Sequence, residues 1–343
     1  MSGNFPPPSG DFSFTSEYQG STNDEDTESL TESIIGVQEE NGRTYHSYQA
    51  GSYPYPNDER EKERLELQYE CISVLFGGRL FFAPWSRQHY PGTILDIGTG
   101  TGRWAIEMGD KFPLSTIRAT DLSPIQTTHV PPNVNFCIED GSLPWHPSLF
   151  YDYVHTRMTV GCWSDFCTDV CTQAYAQLNP GGWFESQELD PWVYCDDGTM
   201  PDSFQPLVWV QEMSEIADEA QRPVLMAQTA RQSYEQAGFQ NVRELAFRIP
   251  LNDWGGGGNL TRLERRVGRM WEENMLEGLS AMSLGLYTRY RNMNQKRVEG
   301  RLLHVRRGLR DKNVHAYMRI VVVLGQKPTS PDRGVTGPSL QMT

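Results

Sequence analysis

The sequence predicts an α/β fold: a seven-stranded, mostly parallel sheet covered by helices on both faces, with an antiparallel last strand. Three observations predict it. From Thr93 onward, short apolar runs alternate with helical stretches, the pattern of β-α-β units. A glycine-rich turn, DIGTGTG at residues 96–102, joins the first of those runs to the first of those helical stretches. Acids then stand at the ends of the next two apolar runs, Asp121 and the pair Glu139–Asp140.

Residues 1–40 contain nine acidic side chains and no Lys or Arg, so they carry −9 of the formal net charge of −14 and leave −5 for the rest. Rich in Ser, Thr, Pro and Gly, they have little to bury and are expected to be a disordered tail. Residues 41–56, NGRTYHSYQAGSYPYP, hold four tyrosines among Gly and Pro, which suggests a segment lying against the domain. A helix is predicted over 57–76, with Asn57 as N-cap, acids in its first turn and Leu65, Tyr69, Ile72 and Phe76 at helical spacing. The strands follow as TILDIG, TIRATDL, VNFCIED, YDYVHTR, GWFESQEL, VRELAFRIPL and HAYMRIVVVLGQ. Helices are predicted from Gly102 to Lys111 and from Phe166 to Leu178. Two helical insertions are read at 201–238, closed by Gly238 as C-cap, and at 260–310. The chain thus divides into an acidic tail (1–40), a lid with the first helix (41–90), the α/β domain (91–328) and a flexible tail (329–343).

The composition excludes several classes. With most of its charge in the tail, the folded part lacks the excess of basic groups that a general nucleic-acid binder needs. No apolar run approaches the roughly 20 residues that span a bilayer, and the first residues, MSGNFPPPSG, lack the features of a signal peptide. Six scattered cysteines do not make a secreted disulfide framework. Cys162, Cys167 and Cys171 cluster without a CxxC pair, so no metal site is expected. A cytoplasmic location is expected, with the nucleus as the alternative.

The turn reads D-x-G-x-G-x-G, with Asp96, Gly98, Thr99, Gly100 and Gly102. Glycines permit tight turns and leave no Cβ where backbone must touch a ligand. A dinucleotide enzyme would show G-x-G-x-x-G, with its third glycine one place later, so a nicotinamide cofactor is disfavoured. Asp121, with Leu122 beside it, falls where a carboxylate accepts from both ribose hydroxyls; the alternative is a cap for the next turn. Glu139 or Asp140 is placed to accept from an adenine amino group, with Gly141 offering a backbone donor; the alternative is a simple polar turn ending the strand.

The order DIGTGTG, TDLS, EDG, YDYVHTRM, LNPGGW resembles class I methyltransferases. More narrowly, ENGRTYHSYQAGSYPYPNDEREKERLELQ followed by LDIGTGTGRWAIEMGDKFP and DLSPIQ is similar to the fungal LaeA-like methyltransferases, from about Glu40 to Lys327. The resemblance implies a Rossmann-like methyltransferase fold and S-adenosylmethionine as cofactor. It implies methyl transfer to a small metabolite or precursor in fungal secondary metabolism, or alternatively a nuclear regulator acting with velvet-type proteins. No direct nucleic-acid or membrane partner is expected.

Such a transfer is an in-line displacement in which the protein aligns donor and acceptor and excludes water. His155 and Arg157, ending the strand YDYVHTR, are the candidates nearest the reacting atoms. His155 is read as a base or a hydrogen-bonded core residue, and Arg157 as an orienting group, since a guanidinium is permanently charged. Glu185 and Glu188 are expected to be surface carboxylates, with the acceptor side as the alternative. Tyr45, with Arg43, His46 and Tyr48, is expected to form a lid over the cofactor; the alternative is ordinary packing on the sheet edge. Acceptor selection is assigned to the two insertions, and Trp209, Trp254 and Trp271 to the core.

Overall fold

The computed structural model describes residues 36–49, 53–255 and 258–329. Val37–Glu40 (β1) and Arg43–His46 (β2) pair as an antiparallel hairpin. Its turn, Asn41-Gly42, has both residues left-handed (φ 55° and 72°), a conformation that this dipeptide adopts readily. The last residues of the expected tail are therefore ordered in a strand, and residues 1–35 lie outside the described residues, as do 330–343.

The first helix, α1, spans Glu59–Leu75 and is capped by Asp58, whose carboxylate accepts from the Glu61 amide at 3.0 Å. Asn57, expected as the cap, instead accepts from the Thr44 hydroxyl at 2.9 Å and so fastens the hairpin to the helix. Arg43 pairs with Asp58, which serves both hairpin and helix.

The central sheet is built from β3 (Thr93–Ile97), β4 (Thr116–Asp121), β5 (Val134–Ile138), β6 (Tyr151–Arg157), β7 (Leu178–Tyr194), β8 (Gln240–Pro250) and β9 (Tyr317–Gln326). Their spatial order is β5-β4-β3-β6-β7-β9-β8. Strands β3 to β7 run parallel, and β9 lies antiparallel between β7 and β8, as expected of the last strand. From β3 the chain steps outward to β4 and β5, then returns to the other side of β3 at β6. That reversal is a topological switch point, and it opens a crevice beyond the carboxyl ends of β3 and β6.

Two apolar cores cover the faces. One joins α1, α2 (Arg103–Lys111), α4 (Gln205–Glu219), α6 (Arg262–Arg291) and α7 (Gln295–Leu309), with Trp104, Met108, Trp209 and Trp271 buried in it. The other packs α3 (Thr172–Gln177) and α5 (Ala230–Ala237) on Val154, Phe184 and Val323. Trp254 remains half-buried. The two insertions are each broken. Gln221 is left-handed (φ 56°), and the Arg222 amide reaches back to the Ala217 carbonyl at 2.8 Å, a stop that Pro223 then seals. Asn292 (φ 51°) ends α6, and Asn294 caps α7. Gly238 closes α5 with φ 98°, as read from the sequence. Among the described residues, no helix is long and apolar enough to cross a membrane.

Candidate active site

The crevice is lined by the β3–α2 turn, the ends of β4, β5 and β6, one face of α1, and the segment Tyr53–Asn57. Gly98, Gly100 and Gly102 all adopt positive φ (68°, 59°, 82°), which explains the glycine at every second position. Their side-chain directions differ in consequence. A Cβ on Gly102 would come within 2.3 Å of the Phe136 ring, so that glycine is required by packing. A Cβ on Gly100 would meet nothing within 4 Å, and Gly100 lines the cavity.

Asp96 and Asp121 organise this turn from either side. Asp96 is buried. Its Oδ2 accepts from the Thr99 hydroxyl at 2.6 Å, and its Oδ1 faces His155 Nδ1 at 2.7 Å. Asp121 Oδ2 accepts from the Gly100 amide at 2.8 Å, and Oδ1 accepts from the Ser123 amide at 3.0 Å. Burial lifts the Asp121 carboxyl to about 6, against the backbone donors that favour its ionised form. Asp121 thus holds the turn, as the capping reading expected, and it also lines the cavity. Leu122 and Thr99 line the cavity beside it.

At the end of β5, Glu139 is taken by Arg118, whereas Asp140 uses Oδ1 to accept from the Ser142 amide and hydroxyl at 2.9 and 2.6 Å. Both acids line the cavity, and among the described residues Asp140 is the one of the pair in no ion pair. A Cβ on Gly141 would lie 2.6 Å from Ile97 and 3.2 Å from Trp163, which enforces close backbone approach there.

His155 is fully buried and stacks on Trp104 with centroids 3.7 Å apart. Burial lowers its pKa and Asp96 opposes that, so the neutral ring with Nδ1–H donated to Asp96 is the form favoured near neutral pH. Its Nε2 has no partner among the described residues. Arg157, two residues on, has a guanidinium 5.3 Å from the Tyr69 ring centroid and donates to Gln187 Oε1 at 2.7 Å and the Leu80 carbonyl at 3.2 Å. Met158 follows with φ 58°, a strained turn of the kind that clusters at functional sites.

Several residues stand elsewhere than the sequence suggested. Glu185 and Glu188 are buried, at 0% and 1% exposure, rather than on the surface. Glu185 accepts from the Phe82 and Ala83 amides, and Glu188 from Thr156, the Thr159 amide at 2.7 Å and the Thr159 hydroxyl. Both sit on β7 beside β6, a neighbour that local sequence does not reveal. Tyr45 is buried against Arg289 and does not line the cavity; Tyr53 and Tyr55 do, edge to face at 4.9 Å. His46 sits between the Tyr48 and Tyr53 carbonyl oxygens, 2.6 and 3.3 Å from its ring nitrogens, and its N–H donated to one of them fastens this segment. Tyr48 borders a neighbouring cavity with Trp145 and Tyr151. The insertions contribute no lining residue among those described. Instead α6 grips α1, with Asn274 accepting from Arg64 at 2.9 Å, and so sets the position of Tyr69 indirectly. Tyr69, Trp104, Thr159 and Trp163 were missed as lining residues. Their signal in the sequence was ordinary core periodicity, which does not distinguish a cavity wall from a core.

This geometry, a sheet with one antiparallel strand and a glycine turn flanked by acids, has the architecture that the resemblance to class I methyltransferases implies. A family model described as a methyltransferase domain matches residues 66–244. The methyltransferase pytC of Aspergillus terreus is 35% identical over 302 residues, covering 88% of this chain and 91% of that protein. The secondary metabolism regulator LAE1 of Cochliobolus heterostrophus is 33% identical over 298 residues (84% and 94% covered), and laeA of Aspergillus niger 31% over 301 residues (85% and 77%). The chain belongs to the fungal LaeA-like methyltransferase family.

Proposed function

We propose that the cavity binds S-adenosylmethionine and that the chain transfers its methyl group to a small acceptor of secondary metabolism. The observation that carries the reading is the convergence of Gly100, Asp121 and Asp140 on one crevice: a cradle open to a ligand, a carboxylate for the ribose and a carboxylate outside any ion pair for the adenine amino group. The residues present therefore fit the cofactor. When bound, it supplies an activated methyl on sulfur. Asp121 and Asp140 orient its nucleoside, and the Gly98–Gly102 backbone lies along the amino-acid portion. Tyr53, Tyr55 and Tyr69 shield the reacting centre from water, with aromatic faces that suit a sulfonium.

A small acceptor is favoured because Tyr53 and Tyr55 wall the cavity while Leu65, Ile72 and Trp104 make its floor apolar. The relatives named as secondary metabolism regulators support a second reading, a regulatory role; a nuclear location and velvet-type partners are what the family resemblance implies for it. Incubating the protein with methyl-labelled S-adenosylmethionine and a fungal extract, then separating metabolites from macromolecules, tests the first. Label in the metabolite fraction supports it, and label confined to proteins overturns the small acceptor. Failure to bind S-adenosylhomocysteine overturns the cofactor site itself.

A further inference from the structure

We propose that the acceptor carries an oxyanion, a carboxylate or enolate on an apolar body, and that Arg157 recognises it between α1 and β6. This rests on reading the cavity as a methyl-transfer site, and it adds the chemical class of the acceptor. Two arginines line the cavity, and they differ sharply. Arg103 is neutralised by Glu66 at 3.0 Å, Glu70 at 2.7 Å and Glu107 at 3.3 Å. Arg157 has no carboxylate within 4.0 Å among the described residues. Its partners are an amide oxygen, a backbone carbonyl and the face of Tyr69, and its Nη1 donates to none of the described residues.

Those partners orient the guanidinium without cancelling its charge. The Leu80 carbonyl also accepts from Trp104 at 2.8 Å and Gln187 at 3.1 Å, and Gln187 is itself held by Glu185 at 2.6 Å. The buried carboxylates of Asp96, Glu185 and Glu188 act on it only from beyond ion-pair distance, so a half-buried cation so fixed, without a direct ion pair, costs free energy that an incoming anion recovers. Burial accordingly lowers the Arg157 pKa from its ordinary value. A planar guanidinium with a free edge suits a carboxylate or enolate. Around it Leu65, Tyr69, Ile72 and Met158 offer apolar walls for the rest of the molecule. The cofactor's own carboxylate has a separate claim on the start of α2, where Gly102 provides no side-chain cap and the first amides stay available.

The test uses the full chain with S-adenosylhomocysteine affinity measured first by calorimetry. Absence of that binding counts against the cofactor site, not against this inference. The saturated protein is then titrated with benzoate, benzamide and benzylammonium as probes. Benzoate is expected to bind at least about tenfold more tightly than benzamide, with benzylammonium weakest. Arg157→Gln is expected to abolish the preference while leaving S-adenosylhomocysteine affinity within about twofold. Equal binding of benzoate and benzamide, or no benzoate binding, overturns the proposal. So does an Arg157→Gln variant whose main loss is S-adenosylhomocysteine affinity, since the guanidinium then belongs to the cofactor's carboxylate. Should the Gln variant not fold, Arg157→Lys keeps the charge without the planar fork. It is expected to retain a weakened preference for benzoate, and an unchanged preference in that variant counts against guanidinium recognition.

Discussion

Replacing Asp121 by Asn probes the centre of the proposed cofactor site. The Asp121 carboxylate takes the Gly100 amide on one oxygen and the Ser123 amide on the other. An amide side chain offers one oxygen, so its nitrogen must face one of these two N–H groups. That leaves a backbone donor unpaired, at a cost of about 1–3 kcal/mol. Unlike a simple cap, where Asn serves as well as Asp, this clasp predicts a loss of ligand-free stability, a midpoint lower by about 2–4 °C per kcal/mol. Affinity falls as well. Hydrogen bonds to a charged group contribute about 1.5–3 kcal/mol each, so S-adenosylhomocysteine binding should weaken roughly ten- to a hundredfold. Loop damage and a lost ribose contact are separated by a second ligand, the 2′-deoxy analogue, in calorimetry on both proteins. The parent should discriminate against the analogue, and the mutant should bind the two ligands alike. Equal discrimination in parent and mutant would refute the ribose assignment, whatever the stability change.

Three further outcomes follow from the same site. Since burial holds the Asp121 carboxyl at about 6 and the ribose needs its ionised form, cofactor affinity should fall as pH drops through 6, by up to about tenfold per unit. For the empty protein the sign is opposite: the folded pKa exceeds the unfolded one, so this group increasingly favours folding as pH falls from about 6 to about 4. Calorimetry and denaturation across pH 5–8, with Asp121→Asn as the flat control, check both. A Cβ at Gly100 meets no neighbour, but Gly100→Val imposes a β-branched residue at φ 59°; it should lower stability by about 1–2 kcal/mol and, by filling the cradle, abolish S-adenosylhomocysteine binding. Unchanged affinity in a folded Gly100→Val protein would remove the turn from the site. Glu188→Leu strands the Thr159 amide and two hydroxyls in the core and should cost about 3–5 kcal/mol in denaturant unfolding. Glu188→Gln keeps an acceptor for that amide, and the two threonine hydroxyls can turn to accept from its nitrogen, so it should cost much less.

What the sequence determined by itself was whatever local pattern encodes. The seven strands, the glycine turn, the acids at Asp121 and Asp140 and the antiparallel last strand follow from periodicity, from residues that alone tolerate φ > 0 and from family resemblance. Helix ends were less legible, because caps depend on partners: Asn57 went to Thr44 and left Asp58 to the helix. The tertiary structure decided everything that depends on neighbours distant in the chain. It set Asp96 against His155, 59 residues on, because β3 and β6 are adjacent at the switch point. The same arrangement buried Glu185 and Glu188 under amides from other segments and exchanged Tyr45 for Tyr53 and Tyr55 at the cavity. Local sequence states what a residue can donate, accept or bury. The sheet order decides what it meets, and so left Arg157 as the lining arginine with no direct ion pair among the described residues.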